Sequence, residues 1–208
     1  SAPQGAPPSP MNPVDTITIA EITVGVAQGY PTFGAATAMV NMGIGENFFM
    51  WDENSYEVGM LAESWQTAPD LSYTDFKIRR GVQFHQGFGE LTAEDVAYTF
   101  NSANPNVTQG AIHDTGGDLI PVLERVEVID PQTARFHWLS FGSHTIPKFT
   151  GDFHEGIGIF SKRAFDQQGD QWLRENIIGT GPFMLEQWVQ NQGITIGAVR
   201  DHWRKTPF

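Results

Sequence analysis

The stretch Ile177-Ile178-Gly179-Thr180-Gly181-Pro182-Phe183 constrains this chain more than any other. Two glycines around a threonine leave the backbone free to take φ/ψ angles closed to other residues, and Pro182 then fixes φ and removes a donor. After it Phe183, Leu185, Gln187 and Val189 alternate with Met184, Glu186 and Trp188, the period of a strand. Gln190-Asn191-Gln192-Gly193 reads as a turn, and Ile194, Ile196 and Ala198 resume the alternation. The pattern is a hairpin entered through a pliable joint. It is not a phosphate loop, because no Lys-Ser/Thr follows the glycines and the next element is a strand rather than a helix. Gly179, Thr180, Gly181 and Pro182 are expected to form a hinge or crossover between two parts of the fold.

Upstream, Ser1 to Pro10 is a Pro/Ala/Ser tail with nothing to bury, an extended linker of the kind that holds an exported protein off a membrane anchor. An artificial end would read the same way. Thr16 to Ala20 and then Ile22, Val24 and Val26 alternate as strand material. The loop Gln28 to Gly34 carries Tyr30 and Phe33, and Ala35 to Met42 is small, Met-rich and helix-compatible. Asp52 to Ser55 and Pro69-Asp70 are turns. Thr74, Phe76 and Ile78 share one face of a strand, with Tyr73, Asp75, Lys77 and Arg79 on the other. Thr92 and Asp95 make an [ST]-x-x-[DE] capping box for a helix that lines up Ala93, Val96, Ala97 and Phe100. Leu123–Ile129 and Thr133–Leu139 flank Asp130-Pro131-Gln132 as a hairpin with Ala134, Phe136 and Trp138 inward. Phe160 to Glu175 is helical or broken-helical. Strands and helices mix without a βαβ rhythm, so the class is mixed α and β.

With 208 residues the chain fills one large domain or two small ones. It has no cysteine, so neither disulfides nor thiolate metal sites contribute. No apolar run approaches the roughly 20 residues of a spanning helix, and no basic-then-apolar leader is present, so any signal peptide is expected to have been removed or left out. A net charge of −12 argues against nucleic acid and anionic membranes as partners. No Lys or Arg occurs before Lys77. That excess is either a solubilising surface or a field that favours cationic and zwitterionic ligands.

Chemistry is harder to place. The six histidines lack a His-Glu-x-x-His spacing, Ser64 and Ser161 lack a nucleophile elbow, and Asp52-Glu53 and Glu94-Asp95 are neighbours that point apart. No catalytic residue, metal or cofactor is expected. Tyr30 and Phe33 are the best candidates for the wall of a binding cleft, against simple local packing of loop aromatics. Trp65, Phe100, Trp138 and Trp188 read as core.

Five segments together resemble a known family. They are Leu61-Ala62-Glu63-Ser64-Trp65, then Tyr73-x-x-Phe76-Lys77-Ile78-Arg79-Arg80-Gly81-Val82-x-Phe84-His85, Leu91 to Phe100, Leu123 to Pro131, and Gly179 to Phe183 with Trp188. In this order and spacing they resemble the extracellular solute-binding proteins of family 5, which serve oligopeptide, dipeptide and nickel ABC importers. The chain departs from the pattern at Gln86-Gly87-Phe88-Gly89-Glu90, at Arg200-Asp201-His202-Trp203, and in the loop around Tyr30. The resemblance implies a type II periplasmic-binding-protein-like, mixed α/β (α+β) fold: a first lobe with an inserted subdomain, the second lobe missing. On that pattern residues 1–10 are tail, 11–47 and 177–208 belong to the main part of the lobe, and 48–176 form the inserted subdomain. It further implies a monomeric periplasmic or extracellular receptor, lipoprotein-anchored in some members, that binds a small peptide or other small solute and docks on an ABC permease. His113 and Asp114, and His154 and Glu155, fall where members of the family approach ligand, against the alternative of solvated loops. Two readings from other classes stay open: a secreted carbohydrate-active or carbohydrate-binding module, suggested by six Trp and the acidic surface, and a stand-alone interaction domain.

Overall fold

The computed structural model describes residues 42–111, 116–143, 145–146, 157–173, 175–189 and 192–204. The strand expected over 16–26 and the helix-compatible stretch 35–42 lie outside them, apart from Met42. In chain order come β1 (Phe49–Trp51), β2 (Glu57–Gly59), β3 (Ala62–Thr67), β4 (Tyr73–Ile78), β5 (Gln83–Phe84), a single 3-10 turn (His85–Gly87) and β6 (Gly89–Glu90). Then follow α1 (Ala93–Ala103), α2 (Gly116–Leu119), β7 (Leu123–Asp130), β8 (Thr133–Trp138), α3 (Lys162–Leu173), β9 (Phe183–Val189) and β10 (Gly193–Ala198).

The central sheet runs β3-β4-β8-β7, antiparallel throughout. Period-2 alternation sends Thr74, Phe76 and Ile78 of β4 and Ala134, Phe136 and Trp138 of β8 to one face, where all are buried. The buried face of α1, with Ala93, Val96, Ala97 and Phe100, covers it as its spacing predicts. Phe48, Phe76, Phe100 and Phe136 meet edge-on or tilted at 4.8–5.9 Å between ring centroids, the preferred geometry for aromatic quadrupoles. The opposite face is polar: Arg135 grips Asp75 with two bonds of 2.7 and 2.8 Å and lies 3.9 Å over the Tyr73 ring, while His137 meets Glu127 at 2.7 Å.

The expected capping box forms. Thr92 N donates to Asp95 Oδ2 at 2.9 Å, and Asp95 Oδ1 accepts Lys162 N at 2.8 Å, so one carboxylate joins the starts of α1 and α3. Burial pushes that carboxyl up from its ordinary value, against the backbone donors that favour its charge. Gly169 breaks α3 with φ 78°, so of the two readings of the 160–175 stretch the broken helix is the one found. The free edge of β7 meets α1, where the Asn101 amide donates to Val126 O and accepts from Val126 N, both at 2.8 Å. A side chain there takes the place of a neighbouring strand.

Several elements differ from expectation. Trp65 is 37% exposed rather than core, because β3 is an edge strand, and its ring rests edge-on against Phe49 at 4.8 Å. β1 and β2 form a hairpin that the aromatic run at 47–51 does not announce. Residues 83–84 pair with β6 in a separate two-stranded ribbon. The helix starting at Ala93 continues to Ala103, past the point where the sequence turns polar.

Candidate functional site

The Gly179–Pro182 joint is where distant parts of the chain converge. The 3-10 turn after β5, with Gln86 at φ 56° and Gly87 at φ 76°, sets His85 beneath the joint. His85 N donates to Gly179 O at 2.9 Å, and His85 Nε2 donates to Gly181 O at 2.9 Å. On the ring's other side, Gly179 N donates to His85 Nδ1 at 3.4 Å. Those partners assign the neutral, Nε2-protonated tautomer. Burial lowers the His85 pKa from its ordinary value; the Gly181 carbonyl works against that shift and the nearby His202 adds to it.

The segment after β10 closes the joint from the opposite side. His202 Nε2 donates to Thr180 O at 3.1 Å, and its Nδ1 accepts Arg204 N at 3.3 Å. Beside them sits Glu46, a carboxylate only 1% exposed. Its Oε2 accepts Thr180 Oγ1 at 3.0 Å and Trp203 Nε1 at 2.8 Å. Its Oε1 has Arg204 Nη2 at 3.1 Å and His202 Nε2 at 3.4 Å, and is held by charge, since no aligned hydrogen bond reaches it. Arg79 and Arg204 stack on Trp203 at 4.9 and 5.5 Å from the ring centroid.

Backbone bonds complete the clamp: Gly181 N to Ile44 O at 2.8 Å, Phe183 N to Gly43 O at 3.1 Å, and Val199 N to Pro182 O at 2.8 Å. The approach is so close that a Cβ on Gly181 would lie 2.1 Å from Gly43 O. Gly181 is therefore required for space. The arrangement holds a chain crossing in place. Thr180 Oγ1 is spent on Glu46, and the residue is 1% exposed, so no solvent-borne substrate reaches it.

Of the residues singled out from sequence, Gly179, Thr180, Gly181 and Pro182 come together in this cluster. Tyr30, Phe33, His113, Asp114, His154 and Glu155 lie outside the described residues. Sequence reasoning missed Glu46, whose signal was a lone carboxylate inside Ile44-Gly45-Glu46-Asn47-Phe48-Phe49. It noted His85 and His202 only as parts of motifs. Among the described residues, no three His, Asp or Glu side chains are grouped to hold a metal, and no helix is long and apolar enough to cross a membrane.

A family model described as "Bacterial extracellular solute-binding proteins, family 5 Middle" matches residues 57–207. The di/tripeptide-binding protein 2 of Pseudomonas aeruginosa is 29% identical over 166 residues, covering 71% of this chain and 30% of its own length. Among solved structures, the periplasmic binding protein MoaA of A. tumefaciens R10, in complex with mannopinic acid, matches with a TM-score of 0.70 at 25% identity over 88% of this chain and 37% of that one. The ABC transporter-associated periplasmic binding protein DppA of Helicobacter pylori, in complex with the peptide STSA, gives 0.66 at 22% identity over 81% and 36%. The architecture is thus the mixed α/β fold of type II periplasmic binding proteins, part of one lobe of it, and the chain spans about a third of the length of these proteins.

Proposed function

The chain belongs to the bacterial extracellular solute-binding proteins, family 5, and from that premise we propose that it is the first-lobe share of a two-lobed receptor for an ABC importer. The continuous match over residues 57–207 carries this reading. The lobes close on a small solute in the cleft between them, and the closed form docks on a membrane permease. The work is a shift of population between open and closed states rather than chemistry. The protein acts as a monomer in the periplasm or at the cell exterior, and a lipid anchor suits the Pro-rich tail.

A short peptide is the first ligand class to test, supported by the peptide-binding relatives. Tyr30 and Phe33 are proposed as cleft wall, and His113, Asp114, His154 and Glu155 as polar contacts. Residues 48–176 are proposed as an inserted subdomain carried on 11–47 and 177–208. The Gly179–Pro182 segment serves as the fixed pivot at their junction, a reading supported by the bonds that hold it from three sides.

Calorimetry with peptides of two to nine residues tests the proposal, using the 208-residue chain and the intact gene product from source cells. The intact product is expected to bind at least one peptide at micromolar or tighter Kd, and the 208-residue chain weakly or not at all, since half of the cleft is contributed by the other lobe. Micromolar binding by the 208-residue chain alone would overturn the two-lobed reading. An intact product that ignores all such peptides would overturn the peptide class.

A further inference from the structure

The two histidines that clamp the joint share one bonding pattern and differ in their surroundings. Both use Nε2–H to hold a carbonyl of the joint, His202 at Thr180 O and His85 at Gly181 O. Both present an unprotonated Nδ1 to a backbone N–H, His202 to Arg204 N and His85 to Gly179 N. Around His202 two acceptors face the ring: Glu46 Oε1 lies 3.4 Å from Nε2, and Arg204 O lies 3.2 Å from Nδ1. Around His85 the polar partners are backbone groups of the joint. The residue is 5% exposed, and its ring lies against Gly179–Gly181, which carries no titratable side chain. The group that bears on it by charge is His202, which when protonated has the same sign. On β6, Glu90 is committed to Gly81 N at 2.6 Å; from α3, Arg163 reaches Gly89 and brings positive charge.

We propose that the joint is an acid-released latch with His85 as its trigger. Protonation of Nδ1 sets that N–H against the Gly179 N–H, two donors face to face in a site from which water is excluded, and the Gly179–Pro182 segment lifts from the β5–β6 turn. Neutral imidazole holds the joint; imidazolium opens it. This needs no ligand and does not depend on the transport reading.

The sign follows from linkage. The latched state favours neutral His85, while the opened state titrates near the ordinary value of about 6.5. Opening therefore takes up a proton below that pH, and the latched population falls by up to about tenfold per pH unit. It is fully retained above it.

Amide hydrogen exchange on the 208-residue chain, expressed as protection factors for Gly179, Gly181 and Phe183, reads the latch directly. A loss of protection of up to about fivefold is expected between pH 6.5 and 5.5. It should vanish in His85→Gln, which keeps a donor towards Gly181 and cannot titrate, and persist in His202→Gln. The 15N shifts of the wild-type imidazole give a second reading that needs no variant: an Nε2–H tautomer with a midpoint below 6.5 is expected. Protection that is flat with pH in the wild type, an unchanged loss in His85→Gln, or a His85 midpoint at or above 6.5 would each overturn the latch. If His85→Gln fails to fold, the wild-type imidazole titration decides alone.

Discussion

Gly181 shows how one atom can govern a crossing. A methyl there would meet the Gly43 carbonyl at 2.1 Å, and the atom it meets is backbone, which cannot swing aside. Gly181→Ala should cost about 2–3 kcal/mol, the scale of overpacking a tight interior, as a fall in the urea midpoint at unchanged slope. Gly193 is the matched control: among the described residues nothing lies within 4 Å of its Cβ position, and Gly193→Ala should stay within about 0.5 kcal/mol. The sequence placed Gly181 in a pliable joint and Gly193 in a turn, and neither reading says which of them would tolerate a side chain. What separates them is a partner 138 positions upstream of one and absent around the other, since Gly43 and Gly181 meet only in the folded chain. Glu46 and Thr180 are likewise 134 positions apart, and His85 and Gly181 are 96 apart. Local composition announced a joint; its clamps were legible only as a stray carboxylate and two motif histidines.

At the scale of elements, legibility followed length and period. β4, β8, β9 and α1 carry several turns or alternations of apolar pattern, and each lies where its pattern placed it. β1 and β2, at three residues each, are too short to show a period, and β3 reads Ala-Glu-Ser-Trp-Gln-Thr with four consecutive exposed positions because it sits at an edge. That edge position is also why Trp65 is half out in solvent. The other edge is managed by Asn101, whose amide satisfies both backbone groups of Val126. Asn101→Ala leaves that N–H and C=O half-buried without partners, and about 1–3 kcal/mol of stability should go with them. Faster amide exchange confined to Val126 and its neighbours would distinguish this loss from a general loosening.

The whole molecule was legible in its family and illegible in its specificity. The five segments that carry the resemblance all fall within the described residues, and their order survives in the fold. The residues expected to touch ligand lie outside the described residues, and they come from stretches whose sequence carries neither a period nor an apolar pattern to fix their position. What binds the described parts into one body is Glu46, joining the stretch before β1, the joint and the segment after β10. Glu46→Ala would leave Arg204 without its partner and Trp203 Nε1 without an acceptor, and should cost about 3 kcal/mol. The transition should stay single and cooperative if the cluster unites one folding unit; two resolved transitions would mean that the parts separate.

The crossing at Gly43 and Phe183 also decides how the chain would bear a load. Gly181 N and Phe183 N are tied to Ile44 O and Gly43 O, so the backbone path from Gly43 to Phe183 is short-circuited by two hydrogen bonds. Tension applied at Met42 and Met184 loads those bonds first, Phe183 ahead of Gly181, and passes into the excursion through the sheet and α1 by way of His85 and Glu46. The long excursion hangs beside the line of pull, as a loop knotted at its neck.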